Sequence, residues 1–528
     1  MSAQEGTPLG TEQPVDEGLV VLAPEPLPQV PAQPARPAQP ARTAEAVSPR
    51  ARLLGGLPPA LVALLVLAVC LWGIGRRPLD HDEYSTWWAA TLPHADLSRL
   101  LHHTDALLTP YYLVMHGWIA VAGDSATALR LPSALAMGAA GGLTVLLGRR
   151  LFDARTGVAA GVLLALAPNV AQYGQEARPY AFAALFAVAA TLALLRALDR
   201  PGPVRWLLYG AGAALAVLSH PAAAAVLPAH WALARAGRRT GAWAVSACCG
   251  LLPVLPLVAL GVHGGQADQV AWNAAGWQSI VPMPYLLFGS PAVAAVALTC
   301  ALAALVAARD RVGPLAWWAL LPLPITALTT GELHLFQQRY LLFTLPAWAL
   351  LAACGAVRVL GPYVTRRRAL TVLAAALVPA LAAISALDHV HEVVRRHPGE
   401  PDFRRAAAMV ETRSRQGDGL AYSGNGAEPR AIAYELRHLP SRTRPTDVFT
   451  GHSARRLGRY APDDCQDPEA CAHDFRRIWV VSTDRSGDGT DSMPSRTEDL
   501  LWDRYRPARV EWFANVRVVL LVRASKRA

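Results

Sequence analysis

Hydrophobic positions along this chain fall into long runs rich in Ala, Leu and Val, separated by short polar breaks. The runs at 57–74, 126–148, 156–172, 179–198, 205–219, 221–235, 242–262, 290–307, 314–330, 340–357 and 369–387 approach the ~20 residues that carry a helix across a bilayer. They predict an α-helical polytopic membrane protein of about eleven transmembrane helices. Residues 1–50 are polar and Pro/Ala-rich, with PAQPAR repeated within 31–42. Such a stretch buries too little apolar surface to order itself and reads as a disordered cytoplasmic tail. The first apolar run starts too far into the chain for a cleavable signal. Beyond residue 388 the pattern changes to mixed charge. Periodicity predicts helices over 403–415 and 428–438 and strands at Arg477–Ser482 and Val516–Val522, a small α/β domain. The organisation is therefore a tail (1–50), a membrane domain (51–387) and a C-terminal domain (388–528).

Charge orients this array. Basic residues gather in alternate loops: Arg149, Arg150 and Arg155; Arg196, Arg200 and Arg205; Arg235, Arg238 and Arg239; Arg309 and Arg311; Arg358 and Arg366 to Arg368. The intervening loops hold few, mainly Arg76, Arg77, Arg99, Arg130, Arg178 and Arg339. This positive-inside asymmetry puts the N-terminus in the cytoplasm and the C-terminal domain outside it. Merging the two runs around Ser219-His220-Pro221 into one broken helix would destroy the asymmetry, so both are read as crossing. In the long outer loop 75–125, Leu97, Leu100 and Leu101, then Tyr111, Tyr112, Leu113 and Met115, predict helices lying in the interface.

Composition excludes some classes. Net charge is +10, yet the basic residues are spread out, and nucleic-acid binding wants a concentrated basic face. Cys70, Cys248, Cys249, Cys300 and Cys354 lie in apolar runs as small hydrophobes. Cys465 and Cys471 can form a disulfide if their region lies outside the cytoplasm. No zinc-type spacing of Cys and His occurs, and no metal or other cofactor is expected.

Candidate chemistry collects on the outer face. Asp80-His81-Asp82-Glu83 follows the first apolar run, and a partly desolvated carboxylate there suits a general base or a stabiliser of cationic sugar character. The same residues can also simply end a helix. Asp105 and Thr109-Pro110-Tyr111-Tyr112 offer a bend and an aromatic wall, or ordinary interface anchors. Asp105, like His102 and His103, meets the carboxylates only if the loop folds back. Gln175-Glu176-Ala177-Arg178-Pro179-Tyr180 is a polar island between two apolar runs, functional by default at membrane level. Its Arg can clamp a phosphate through a planar fork. A Glu176–Arg178 pair is the plainer reading. Glu332, His334, Gln337, Gln338, Arg339 and Tyr340 form a further cluster, in which Arg339 stands against the positive-inside trend. A cation there suits a departing phosphate. His220 is read mainly as a helix-end residue, and Trp272 and Trp277 as interface anchors.

With these residues in this order, the chain resembles the GT-C superfamily of polytopic glycosyltransferases. More narrowly it is similar to the protein O-mannosyltransferase and aminoarabinose-transferase-like group with its bacterial mannosyltransferase relatives. The resemblance rests on Asp82-Glu83, Pro110-Tyr111-Tyr112, Gln175 to Tyr180 and Arg339-Tyr340, and covers about residues 57–387. It implies a polyprenyl-phosphate sugar donor, mannose transfer in that group's manner, and an inverting displacement without a metal. Asp82 would act as base or transition-state carboxylate with Glu83 in support, and Asp80 is a third candidate. Arg178 and Arg339 would hold the donor phosphate, beside Asp105, Tyr111, Tyr112, Gln175, Glu176, Tyr180 and Tyr340. The acceptor would be a protein, a glycolipid or a wall polymer, reached at the cell membrane among its lipids.

Two other classes compete. A flippase or transporter of a lipid-linked sugar would place its charges near the midplane, often in repeated halves. Here the charges sit at loop level and no half-repeat is evident. A silent scaffold that uses the outer domain to hold a partner is the third reading.

Overall fold

The computed structural model describes residues 49–263, 277–330, 333–366, 399–424, 426–484 and 487–524, together with 383, 384 and 387. The predicted tail, the last apolar run at 369–387 except for those three residues, Trp272 and Glu332 lie outside the described residues. The molecule is mainly helical, with one small sheet near the C-terminus.

The helices follow the apolar runs, but proline subdivides them. Ala126–Leu151, Tyr180–Asp199 and Thr240–His263 are each long and apolar enough to cross a bilayer. The run read as 156–172 is a helix pair, Ala154–Leu166 and Pro168–Gly174, bent by 68°. A proline has no N–H and crowds the preceding turn, which accounts for a break at Pro168. The run 221–235 is likewise a 3-10 turn, Pro221–Val226, leading into Leu227–Ala236. The run 314–330 divides into Arg309–Leu320 and Pro322–Ala327. Length and composition thus support three spans, or four with the bent pair, among the described residues, rather than the expected eleven. Shorter apolar helices accompany them at Gly56–Leu71, Ala106–Ala122, Pro203–Ser219, Pro291–Ala307 and Leu342–Arg358.

Small residues let these helices approach closely. Where Ala126–Leu151 meets Ala154–Leu166, a Cβ on Gly148 would strike the Gly157 backbone, and a Cβ on Gly157 the backbone of Val145 and Arg149. Without water to drive apolar association inside a bilayer, such backbone approach supplies the packing energy.

The C-terminal domain is a mixed sheet in the order β2-β1-β3-β5-β4, formed by Thr446–Asp447 (β2), Gly419–Ser423 (β1), Arg477–Ser482 (β3), Val516–Arg523 (β5) and Tyr505–Phe513 (β4). β1 is parallel to β2 and β3, while β5 is antiparallel to β3 and β4. Both predicted strands and both predicted helices are present, the helices at Phe403–Arg413 and Glu428–Glu435. Cys465 and Cys471 are disulfide-bonded.

The outer-loop helices depart from expectation. Leu97, Leu100 and Leu101 on His94–His103, and Tyr111, Tyr112 and Met115 on Thr109–Ala122, are buried in protein. They share one apolar cluster with Phe403, Ala431, Ile432 and Tyr434 of the C-terminal domain. Periodicity shows that a helix has an apolar face but not whether lipid or protein covers it. Polar contacts reinforce the junction. Arg404 donates to the carbonyls of Arg76 (3.1 Å) and Arg77 (3.2 Å), and the Tyr84 hydroxyl donates to Glu435 (2.9 Å). Asp124 accepts from both Trp87 (3.0 Å) and Arg437 (2.9 Å).

Candidate active site

The acidic cluster opens a helix, His81–Thr91, whose start is fixed by a capping box. Asp80 Oδ1 accepts the Glu83 N–H at 2.8 Å, and Glu83 Oε2 accepts the Asp80 N–H at 3.1 Å. Two of the helix's orphan amides are thereby satisfied. The three carboxylates then divide by environment. Asp80 is occupied as the cap. Glu83 is fully buried and held by Arg130, whose Nε donates to Oε1 (2.7 Å) and Nη2 to Oε2 (2.6 Å). Glu83 Oε1 also accepts the Ala177 N–H at 2.9 Å. Arg130 spends its other N–H groups on the carbonyls of Ile74, Arg77 and Pro78, at 2.7, 3.0 and 2.7 Å. One buried ion pair therefore joins the first loop, the helix Ala126–Leu151 and the island 175–180.

Asp82 differs from both neighbours. Its side chain keeps 27% exposure, and Oδ2 accepts from Arg339 Nη1 at 2.9 Å. Burial pushes its carboxyl up, but Arg178, Arg339, His81 and Arg430 outweigh that and hold it down at about 2. Asp80 is moved the opposite way, above the usual carboxylate range, by burial and by the adjacent Glu83 and Glu176 charges. Glu176 is raised to about 7, by burial first and by Asp82 and Glu83 against the pull of Arg339 and Arg77. Carboxylates whose environments drive them apart in this way mark candidate acid–base sites.

The island 175–180 is tied in place by backbone contacts. Arg77 donates to the Gln175 carbonyl (3.2 Å), Gln175 Nε2 to the Trp72 carbonyl (2.8 Å) and Ser133 to the Arg178 carbonyl (3.1 Å). Arg178 does not pair with Glu176. Its Nη1 donates to the Tyr112 hydroxyl at 3.3 Å. Tyr112 and Tyr460 both donate to Asp105 Oδ2, at 2.8 and 2.7 Å, so the loop does fold back. Asp105 adopts the left-handed backbone region (φ 58°), which Asp tolerates better than most residues. Tyr111 packs on Tyr112 and Phe182, a wall of the junction. Arg339 lies against the rings of Tyr180 (5.9 Å) and Tyr340 (5.4 Å). His220 caps its helix through Ala222 N–H and also stacks on Tyr340 at 4.2 Å, so it belongs to the same wall. His102 and His103 are exposed and take no part.

The structure thus brings together Asp80, Asp82, Glu83, Asp105, Tyr111, Tyr112, Gln175, Glu176, Arg178, Tyr180, Arg339 and Tyr340. Sequence reasoning missed four neighbours. Arg130 carried a usable signal, since an Arg within an apolar run is costly unless it is employed. His81 lay inside the cluster and was passed over. Arg430 and Tyr460 sit in the C-terminal domain and carried no local signal. Among the described residues no three His, Cys, Asp or Glu side chains converge as metal ligands do.

Residues 110–260 match the family described as dolichyl-phosphate-mannose-protein mannosyltransferase. No curated protein matches the sequence. The fold is similar to that of ArnT from Cupriavidus metallidurans in the apo state, at 15% identity and a TM-score of 0.56, covering 89% of this chain and 98% of that one. ArnT from the same organism bound to undecaprenyl phosphate matches at 14% identity and a TM-score of 0.56, covering 88% and 98%.

Proposed function

We propose that this chain is a GT-C glycosyltransferase, a reading that the match over residues 110–260 and the ArnT-like fold support, and that it transfers a sugar, mannose first among candidates, from a polyprenyl phosphate to a hydroxyl acceptor, with inversion. One observation carries the reading. Asp82, the partly exposed carboxylate of the acidic cluster, stands among Arg178, Arg339 and Arg430, with Arg339 bonded directly to it. A base ringed by guanidinium groups suits a reaction in which a hydroxyl is deprotonated while a phosphate departs. That the similar ArnT fold has been solved with undecaprenyl phosphate supports a lipid phosphate as the donor's leaving group.

In this reading the acceptor oxygen forms a bond to the anomeric carbon as the bond from that carbon to the phosphate oxygen breaks. The acceptor proton passes to Asp82, and the electron pair leaves with the polyprenyl phosphate. Before the donor arrives, the arginines hold Asp82 too acidic to be an effective base. A phosphate that takes up Arg178 and Arg339 relieves this and raises the carboxylate toward its task. The Cys465–Cys471 disulfide supports an oxidising compartment for the C-terminal domain, and so an extracytoplasmic active face in a multi-pass cell-membrane protein.

The test is sugar transfer by purified protein in liposomes from radiolabelled polyprenyl-phosphate mannose to a cell-envelope extract. Arg178→Ala and Arg339→Ala are each expected to raise the donor KM by about 10- to 100-fold, the worth of a charge-assisted hydrogen bond. Transfer only from a different lipid-linked sugar would change the sugar and keep the class. Movement of the donor across the bilayer with no transfer at all would replace the class with a flippase.

A pH dependence follows from Glu176. Its carboxyl, at about 7, faces Arg339, Asp82, Glu83 and Arg77. Below pH 7 it is neutral and leaves the cationic field free for the donor phosphodiester, whose own charge is constant there. Above pH 7 it ionises and competes for Arg339. Donor KM is therefore expected to rise between about pH 6 and 8 in the wild type, and to stay flat over that range in Glu176→Gln. Equal slopes in the two proteins would remove Glu176 from the donor site.

A further inference from the structure

The C-terminal domain does more than cover the site. β1 ends at Ser423 and the chain turns through Gly424 (φ 140°) and Gly426 (φ 82°), conformations that side-chain-bearing residues rarely adopt. That turn starts the helix Glu428–Glu435 directly above the acidic cluster and points Arg430 into it. Arg430 is 4% exposed. Its Nη1 donates to the carbonyls of Gly426 (3.0 Å) and Tyr460 (2.6 Å), and its guanidinium lies over the Tyr460 ring at 4.8 Å. Nη2 lies 3.5 Å from His81 Nε2, next to Asp82. Nε is buried without a partner.

Among the described residues Arg430 has no ion pair, in contrast to Arg130, Arg339 and Arg437, which each hold a carboxylate. Burying a guanidinium without an anion is costly. Burial accordingly pulls the Arg430 group below its ordinary value, and burial with Arg430 does the same to His81, which leaves a neutral imidazole to face the cation. A fixed, desolvated cation with spare donors, aimed at Asp82 beside Arg178 and Arg339, is a half-built oxyanion site.

We propose that Arg430 is a third ligand of the donor's phosphate, so that the C-terminal domain completes the donor site begun by Arg178 and Arg339. Tyr460 positions Arg430 by ring contact and joins it, through Asp105 and Tyr112, to Arg178. The proposal rests on the donor assignment made above. It adds that the membrane domain alone makes an incomplete donor site.

The test measures binding of undecaprenyl phosphate to the full-length protein in detergent, for wild type, Arg178→Ala, Arg430→Gln and Arg430→Lys. Gln removes the charge and the guanidinium's reach to Tyr460 and His81 but keeps a neutral amide donor on the side chain. Lys restores the charge without the fork. Arg430→Gln is expected to weaken binding at least tenfold, with Lys recovering part of the loss and with thermal melting close to wild type. Weak binding by Arg178→Ala beside full binding by Arg430→Gln would overturn this inference and leave the donor assignment standing. No binding by the wild type would overturn both. Normal lipid binding by Arg430→Gln with a raised acceptor KM would move the anion to the acceptor and overturn the donor role. Equal affinity of the wild type for inorganic phosphate would show a general anion site, and would also overturn it.

Discussion

Asp82→Asn is expected to lower transfer by about 10²- to 10⁴-fold while leaving insertion, melting temperature and polyprenyl-phosphate binding near wild type. The expectation separates Asp82 from its neighbours. All three carboxylates lie within one turn, but Asp80 is bound to its own helix amide and Glu83 is sealed against Arg130. Of the three only Asp82 keeps exposure, with Arg339 on one oxygen. Asparagine keeps the shape and can still contact Arg339 through its carbonyl, but it cannot accept the acceptor's proton. Loss of the negative charge also frees Arg339 from its ion pair, so donor phosphate should bind as well or better. A fall in kcat with an unchanged or lower donor KM is the signature of a group that acts in the transition state. Asp80→Asn retains an oxygen for the cap and is expected to lose far less. Were Asp82→Asn fully active and Asp80→Asn dead, the assignment would be reversed.

The apolar runs and the candidate charges between them were legible in the sequence, because both depend on short-range facts. Apolar runs are local, and so are unusual charges between them. Asp82, Arg178 and Arg339 stood out as charges that an apolar chain would not keep without use. What could not be read was the assignment of roles within the cluster. Whether Asp80, Asp82 or Glu83 stays exposed beside Arg339 depends on where one turn of helix begins and on Arg130, which is distant in sequence. The number of spans was also poorly legible. Hydropathy registers apolar length, whereas Pro168, Pro221 and Pro322 decide where a helix actually stops. The least legible part was the junction. The apolar faces of His94–His103 and Thr109–Ala122 look the same in sequence whether they meet lipid or the C-terminal domain. Arg430 and Tyr460 therefore had no reason to be connected with Asp82 until the two parts of the chain were seen in contact.

Arg130→Ala is expected to cost about 3–5 kcal/mol, the penalty of leaving a buried carboxylate without its partner, and to yield little folded protein. Glu83→Gln should be milder, since an amide oxygen can still accept from Ala177 or Asp80, although it leaves the Arg130 charge uncompensated. Thermal melting and size-exclusion profiles of the detergent-solubilised variants would rank them. The double variant Glu83→Met with Arg130→Met is the more telling experiment. Elsewhere an apolar replacement of a buried ion pair can be neutral or even stabilising, because two desolvation penalties vanish together. Here it should not rescue the fold. The pair also satisfies the backbone amides of Asp80 and Ala177 and the backbone carbonyls of Ile74, Arg77 and Pro78. Methionine would leave all of these but the Arg77 carbonyl, which Arg404 also reaches, buried with nothing to bond, at roughly 1–3 kcal/mol for each that stays dry. A double variant as stable as wild type would show that the pair is a replaceable charge contact. One as unstable as Arg130→Ala would show that it organises the loops, and that Asp82 and Arg178 meet because Glu83 and Arg130 hold the chain segments on which they stand.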